Sequence, residues 1–339
     1  MQIDTTEETD INKWENYLGE LSGNYFLSAP FLEAFSDKRL IPFYLRFESG
    51  GKIIGLAAGL RVLPVKPLLQ KIYSPVFLFS GAVVPPDNSD LIKECVSGLL
   101  NYVVEQNHSH LMVGWRDYFH EINLNHKLFT KIRREEYVID LRDNWDVIRK
   151  RMRNFLPTLV RRAIKNGVTF HESFSPRIVD DLIVLMKKTK SVRLSKGYDN
   201  YNYFYIPYLN EVTLRKLVEN KVVKGYYALQ QDKIICMLLV TVYSQKAYAL
   251  FIGADESAYK VGGLYFVYFN TIKQLKTEGF EYLNIGGVIR DISGEKLIYA
   301  KTSLGAEKKV CWGGETNNLN GYIPNLLTNV YSKTRNLIR

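Results

Sequence analysis

Hydrophobic and polar positions alternate along the chain in two periods, and their order predicts its elements. Ile11, Trp14, Leu18 and Leu21 recur at helical spacing, with Thr9 or Asp10 as cap and Gly23 beyond the end. NYFLSAPFLEAF continues as a second, shorter helical segment. IPFYLRFE and KIIGLAAGLRV then flank Gly50-Gly51, a pattern that predicts a tight hairpin. VFLFSGAVV reads as a strand, Asp90–Glu105 as a helix, HLMVGW as a strand, and EEYVIDL closes this half.

The second half begins with helices. Trp145, Ile148 and Met152 form one stripe, Pro157 opens a second helix that ends at Gly167, and Ser175-Pro176 starts a third. A tyrosine-rich stretch, GYDNYNYFYIPYL, leads into a fourth. KGYYALQ and KIICMLLVTV flank Gln231-Asp232 as another hairpin, followed by a strand in KAYALFIGAD, a helix over Gly263–Thr277 and a strand in EYLNIG. The run after it, GEKLIYAKTSLGA, reads as a further strand carrying a lone ammonium at Lys301. Both halves thus follow one order of helices, hairpin, strand, helix and strand, with hairpin turns roughly 180 residues apart, which points to a duplicated domain. The expected domains are residues 1–142 and 143–316, with the boundary near Asp140–Asn144. Ile323, Leu326, Leu327, Val330 and Tyr331 predict one more amphipathic helix within 317–339.

Composition narrows the class. The hydrophobic share is 46% and the charged share 24%, the balance of a globular, soluble chain. MQIDTTEETD is too acidic for a secretory signal, and no apolar run is long enough to span a bilayer, so no integral membrane segment is expected. Cys95, Cys236 and Cys311, odd in number and far apart, fit reduced thiols in a cytoplasmic protein. Charge says more. Of 45 Lys and Arg, thirteen lie between Arg149 and Lys196 against three acidic residues, which leaves 32 of each sign elsewhere. One segment therefore supplies the whole excess of +10. Arg149, Lys150, Arg151, Arg153, Arg161, Arg162 and Lys165 make its densest part, suited either to a solvated helical face or to an anionic partner such as tRNA, a nucleotide or a membrane surface touched peripherally.

The layout resembles that of the GNAT acyltransferase domain, here in tandem. Thr189–Arg193 (T-K-S-V-R), a Tyr-rich segment taken as helical, YALQQDKIICMLLVTV, YALFIGAD and LNIGGV…GEKLIYAKTSLGA together resemble the Fem family of peptidoglycan aminoacyltransferases and the related FemAB- and CelD-like acyltransferases. The resemblance covers about Ile139–Gly313 and is mostly topological before that. It implies an α/β fold of two GNAT-like domains, each a mixed sheet flanked by helices, with the 317–339 segment packing back on the first domain.

The resemblance also implies residue roles. Lys301, in Ala300-Lys301-Thr302-Ser303-Leu304-Gly305, matches the family lysine that stabilises an oxyanion or contacts the donor, with Ala300 standing where family members have Phe. A fixed cation beside a tetrahedral oxyanion in a dry site is worth several kcal/mol. Arg193 matches an arginine suited to phosphate or carboxylate. Tyr198, Tyr201 and Tyr203 could line the cleft or simply pack, and Tyr248 faces the same neighbourhood in relatives. Gly286 and Gly287 would let a ligand approach the backbone. Gly262-Gly263 opens a helix after a strand, as a pyrophosphate site requires, yet the surrounding YKVGGL is an incomplete CoA motif. FLSAPFLEAF lacks the early lysine of enzymes acting on UDP-linked muropeptides, and Lys38 is the nearest.

No nucleophile elbow, P-loop or metal-ligand spacing occurs, so direct transfer without a covalent enzyme intermediate, tightly bound cofactor or metal is expected. The favoured function is transfer of an aminoacyl or acyl group, with aminoacyl-tRNA as donor, to an amine of a small-molecule, nucleotide-linked or lipid-linked envelope precursor. Two alternatives stay open: an acyl-CoA-dependent transferase acting on an amino sugar or similar amine, and a non-catalytic anion- or RNA-binding protein on a GNAT scaffold.

Overall fold

In a computed structural model the described residues are 3–64, 74–86, 88–124, 126–198, 203–288 and 294–316. The expected helix within 317–339, and Tyr201, lie outside them. The chain divides into two compact units, 1–134 with 310–339, and 135–309.

The first unit contains β1 (Asp4–Glu7), α1 (Ile11–Glu20), a 3-10 turn at Tyr25–Leu27, α2 (Ala29–Glu33), β2 (Leu40–Ser49), β3 (Lys52–Val62), β4 (Pro75–Leu78), α3 (Leu91–Glu105) and β5 (His110–Val113). Asp10 caps α1 by accepting from the Asn12 and Lys13 amides. The two-residue turn between β2 and β3 has both glycines at positive φ, 56° and 76°, which matches the right-handed twist of the paired strands. β4 is antiparallel to β3 and parallel to β5, as a crossover through α3 requires. The strand order is β1-β2-β3-β4-β5 followed by a late strand, β12 (Glu307–Thr316), which pairs antiparallel with β5 through Gly314 and Glu315. Phe43, Leu45, Val76, Leu78, Val96 and Leu99 sit in its core.

The second unit repeats this plan. β6 (Phe129–Asp140) enters it at Glu135, followed by α4 (Trp145–Arg151), α5 (Leu156–Lys165), β7 (Thr169–Ser173), α6 (Ile178–Ser195) and α7 (Glu211–Glu219). Then come β8 (Val223–Gln230), β9 (Lys233–Tyr243), β10 (Lys246–Ala254), α8 (Glu256–Val261), α9 (Gly263–Thr277), β11 (Tyr282–Gly287) and α10 (Gly294–Ser303). The order β7-β8-β9-β10-β11-β6 mirrors the first unit strand for strand. β10 is again antiparallel to its predecessor and parallel to its successor. This is the tandem GNAT-like α/β fold. Its two edge strands, β1 and β7, escape the sequence reading because they are four and five residues long and mostly exposed.

Two sequence expectations change. GEKLIYAKTS forms α10, not a strand. Glu295, Lys296, Leu297, Ala300 and Lys301 are strong helix formers, and Gly305 at φ 81° ends the helix with its amide on the Thr302 carbonyl. Of the tyrosine-rich stretch, the described residues from Tyr203 to Leu209 form a loop; Asn210, just after it, caps α7 through the Thr213 amide. Aromatic packing holds that loop instead: Phe204 and Tyr205 set their rings edge-on to Phe251, and the Tyr205 hydroxyl donates to the Leu250 carbonyl at 2.7 Å. Among the described residues no helix is long and apolar enough to cross a membrane.

Candidate active site in the second unit

β10 and β11 run together only briefly. Their register is Lys246 with Tyr282, Ala247 with Leu283 and Tyr248 with Asn284, and no pairing continues beyond. At the same point β11 bulges against β6, where the register jumps from Asn284–Val138 to Gly287–Glu136. Gly286, at φ 69°, makes this departure; a Cβ there would stand 3.4 Å from the Tyr248 hydroxyl. A Cβ on Gly287 would press to 2.9 Å from the Glu135 carbonyl. The strand therefore leaves its neighbour with backbone carbonyls that need new donors.

Lys301 supplies them. From the last turn of α10 its Nζ donates to the Ile285 carbonyl and, at 2.9 Å, to the Gly286 carbonyl. The Tyr137 ring lies 5.7 Å from the same nitrogen. Burial drives the Lys301 ammonium down to about 7, and the negative charge of Glu136 acts in the opposite direction. The side chain is half-buried by its own exposure. Its low basicity reflects the removal of the amine at its tip from water.

Glu136, only 2% exposed, is fixed from two sides. One carboxylate oxygen accepts from the Tyr248 hydroxyl at 2.9 Å, the other from the Asn284 side-chain amide at 2.8 Å. The Asn284 carbonyl oxygen in turn accepts from the Gly286 amide at 2.8 Å. Tyr248, Glu136, Asn284, Gly286 and Lys301 thus form one hydrogen-bonded chain. Glu136, Asn284 and Tyr137 were missed in the sequence. The available signal was a carboxylate and an amide interrupting apolar runs (EEYVID and YLNIG), which is costly unless both are paired.

The remaining candidates fall in two further places. Arg193 lies in the last turn of α6, its guanidinium 5.1 Å from the Tyr198 ring. The Tyr198 hydroxyl accepts from Lys296 Nζ at 3.1 Å, so Tyr198 joins Arg193 to the first turn of α10, about 7.5 Å of helix rise from Lys301. Tyr203 takes Lys190 over its ring at 6.0 Å. Gly262 ends α8 in the left-handed region, and Gly263 opens α9 without a side-chain cap. A Cβ on Gly262 would lie 3.1 Å from the Leu159 carbonyl and 3.6 Å from an Arg162 nitrogen.

The basic residues line α4, α5 and the link between them. Arg149, Lys150, Arg151, Arg153, Arg161, Arg162 and Lys165 are all exposed, Arg151 paired with Asp143 and Arg153 stacked 4.5 Å over Tyr299. Phe155 stacks parallel to Tyr299 on the same surface. Among the described residues no three His, Cys, Asp or Glu side chains cluster as metal ligands would.

The architecture places this chain with the tandem GNAT-like folds. Among solved structures it is similar to FemX, with a TM-score of 0.72 and 13% identity over 94% of this chain and 98% of that one. It is also similar to L-PGS from Bacillus licheniformis, at TM-score 0.56 and 14% identity over 96% and 97% of the two chains. A third is the C-terminal domain of a putative lysylphosphatidylglycerol synthetase from Agrobacterium fabrum, at 0.50 and 12% over 91% and 92%. No protein-family model and no curated protein sequence matches the chain.

Proposed function

We propose that this protein is an N-acyltransferase of the Fem-like type, with Lys301 as its catalytic cation. The observation that carries the reading is the Lys301 amine, held against the Ile285 and Gly286 carbonyls where β11 parts from β10. The fold shared with FemX supports it. In the reaction an acceptor amine attacks the acyl carbonyl of an ester donor. The carbonyl oxygen becomes an oxyanion, the amine nitrogen gives up a proton that ends on the departing ester oxygen, and the ester C–O bond breaks as the new amide forms. A preorganised ammonium beside that oxygen lowers the barrier because it needs no reorganisation when charge develops. Arg193, with Tyr198 and Lys296 beside it, suits a phosphate or carboxylate on the donor or acceptor. Aminoacyl-tRNA is the favoured donor, since the exposed basic residues of α4 and α5 and the Arg153–Tyr299–Phe155 stack offer charge and ring faces to a nucleic acid. The acceptor is an amine of a cell-envelope or other small precursor.

A second reading takes acyl-CoA as donor and an amino sugar or similar amine as acceptor. What favours it is the uncapped start of α9 at Gly263 with Arg162 close by, a geometry suited to a pyrophosphate. Thermal shift with acetyl-CoA against charged and uncharged tRNA separates the two. Stabilisation by tRNA and none by acetyl-CoA is expected; the reverse overturns the favoured donor. Mass spectrometry of amine acceptors incubated with each donor then identifies the product. Transfer that survives Lys301→Ala removes the proposed catalytic role.

A further inference from the structure

Glu136 is a buried carboxylate with no place in the reaction as described, and each of its oxygens accepts a side-chain hydrogen bond. It sits on β6 opposite Gly287, with the Tyr248 hydroxyl on one oxygen and the Asn284 amide on the other. Through Asn284 and the Gly286 amide the same network reaches the peptide whose carbonyl receives Lys301. Among the described residues, Glu136 and Tyr137 of β6 act on the Lys301 amine, Tyr248 of β10 and Asn284 of β11 hold the Glu136 carboxylate, and the Ile285 and Gly286 carbonyls of β11 accept from the amine. Glu136 is the one carboxylate among them, and it acts on the Lys301 ammonium as an opposite charge. Burial disfavours the ammonium, and an opposite charge nearby restores it.

We infer that Glu136 is a positioning residue, whose fixed carboxylate keeps Lys301 protonated and aimed while its amine waits beside the parted strands. Two carbonyls take two of the three ammonium hydrogens. The third position is then available to a developing oxyanion only while the nitrogen stays protonated. Without the carboxylate the amine loses that proton at lower pH, and its third position becomes a lone pair that repels an oxyanion. The functional consequence rests on the acyl-transfer reading of Lys301, but the electrostatic link does not.

The test is therefore made on the protein itself. Lysine labelled with carbon-13 at Cε is followed by NMR through a pH titration of the full chain, and the Lys301 signal is assigned by its loss in Lys301→Met. In the unaltered protein the expected midpoint is about 7. In Glu136→Gln it should fall by about one pH unit, and in Glu136→Asp, which withdraws the charge by one methylene, by less. A midpoint that stays in place in whichever variant folds overturns the inference. Once a donor is found, the alkaline limb of kcat/KM should move down with the NMR midpoint, a shift that a purely structural glutamate would not produce. A moved midpoint in a protein that transfers nothing upholds the link and discards the acyltransferase reading alone.

Discussion

At the scale of single residues, Lys301 carries the clearest thermodynamic signature. Its amine titrates near 10.5 when unfolded and near 7 when folded. Between those values the unfolded chain holds the extra proton, so stability from this group is lowest below 7 and rises with pH toward 10.5. Lys301→Met removes that dependence. The melting temperature of the variant minus that of the unaltered protein should therefore decline steadily from about pH 6 to about pH 10, as measured by differential scanning fluorimetry. A flat difference would show that the folded lysine titrates normally. Gly286 makes a separate demand. At φ 69° an alanine is strained, and its Cβ meets the Tyr248 hydroxyl. Gly286→Ala should cost about 1–2 kcal/mol in urea unfolding, whereas alanine at Gly19, with no atom near its Cβ, should cost nothing. The sequence displayed Lys301, Tyr248 and the glycine pair. It hid Glu136, because a carboxylate four residues before the start of the predicted boundary looks like any strand-end charge until the fold brings β11 and β10 to it.

At the scale of elements, both long hairpins were legible because two-residue turns between apolar runs leave few other solutions. Their geometry explains the signal: Gln231 and Asp232 share positive φ, 50° and 59°, with Gly50 and Gly51. α10 was not legible as a helix, since ten residues with Ile298 and Tyr299 exposed lack the one-sided apolar stripe that marks an amphipathic helix. Long-range packing hid a further device. α6 approaches β10 so closely that a Cβ on Gly253 would sit 2.7 Å from Leu185 Cβ, and the Thr189 hydroxyl both donates to the Ala254 carbonyl and accepts from its amide. Arg193 follows Thr189 by one helical turn, so this latch sets where the guanidinium stands. Thr189→Val keeps the shape and removes the hydroxyl, leaving two backbone groups unpaired. The expected loss is about 1–3 kcal/mol in chemical denaturation, together with weaker binding of any ligand that Arg193 holds. An unchanged stability would mean water replaces the hydroxyl without cost.

At the scale of the whole molecule, the repeated order of elements announced duplication, and the strand orders of the two units reproduce one another. The charge imbalance was equally legible, since it needs only counting; the surface that bears it was not. Folding places Arg161 and Arg162 on one exposed stretch of α5, with Arg149, Lys150 and Arg151 on α4 before it. If this surface carries a tRNA, its contacts release counterions, and affinity must fall steeply with salt. Reversing two charges, Arg161→Glu with Arg162→Glu, takes the net charge from +10 to +6, at two units per reversal. Lys13→Glu with Lys38→Glu makes the same change at exposed sites of the first unit. The two variants separate a local surface from a general attraction. With labelled tRNA in fluorescence anisotropy across a salt series, the α5 variant should bind weakly, and its slope of log Kd against log salt should shrink by about 1.4–1.8, the loss of two phosphate contacts. The Lys13 and Lys38 variant should keep the original slope. Equal losses in both would reduce the basic segment to a solvated face and remove its support for a nucleic-acid donor.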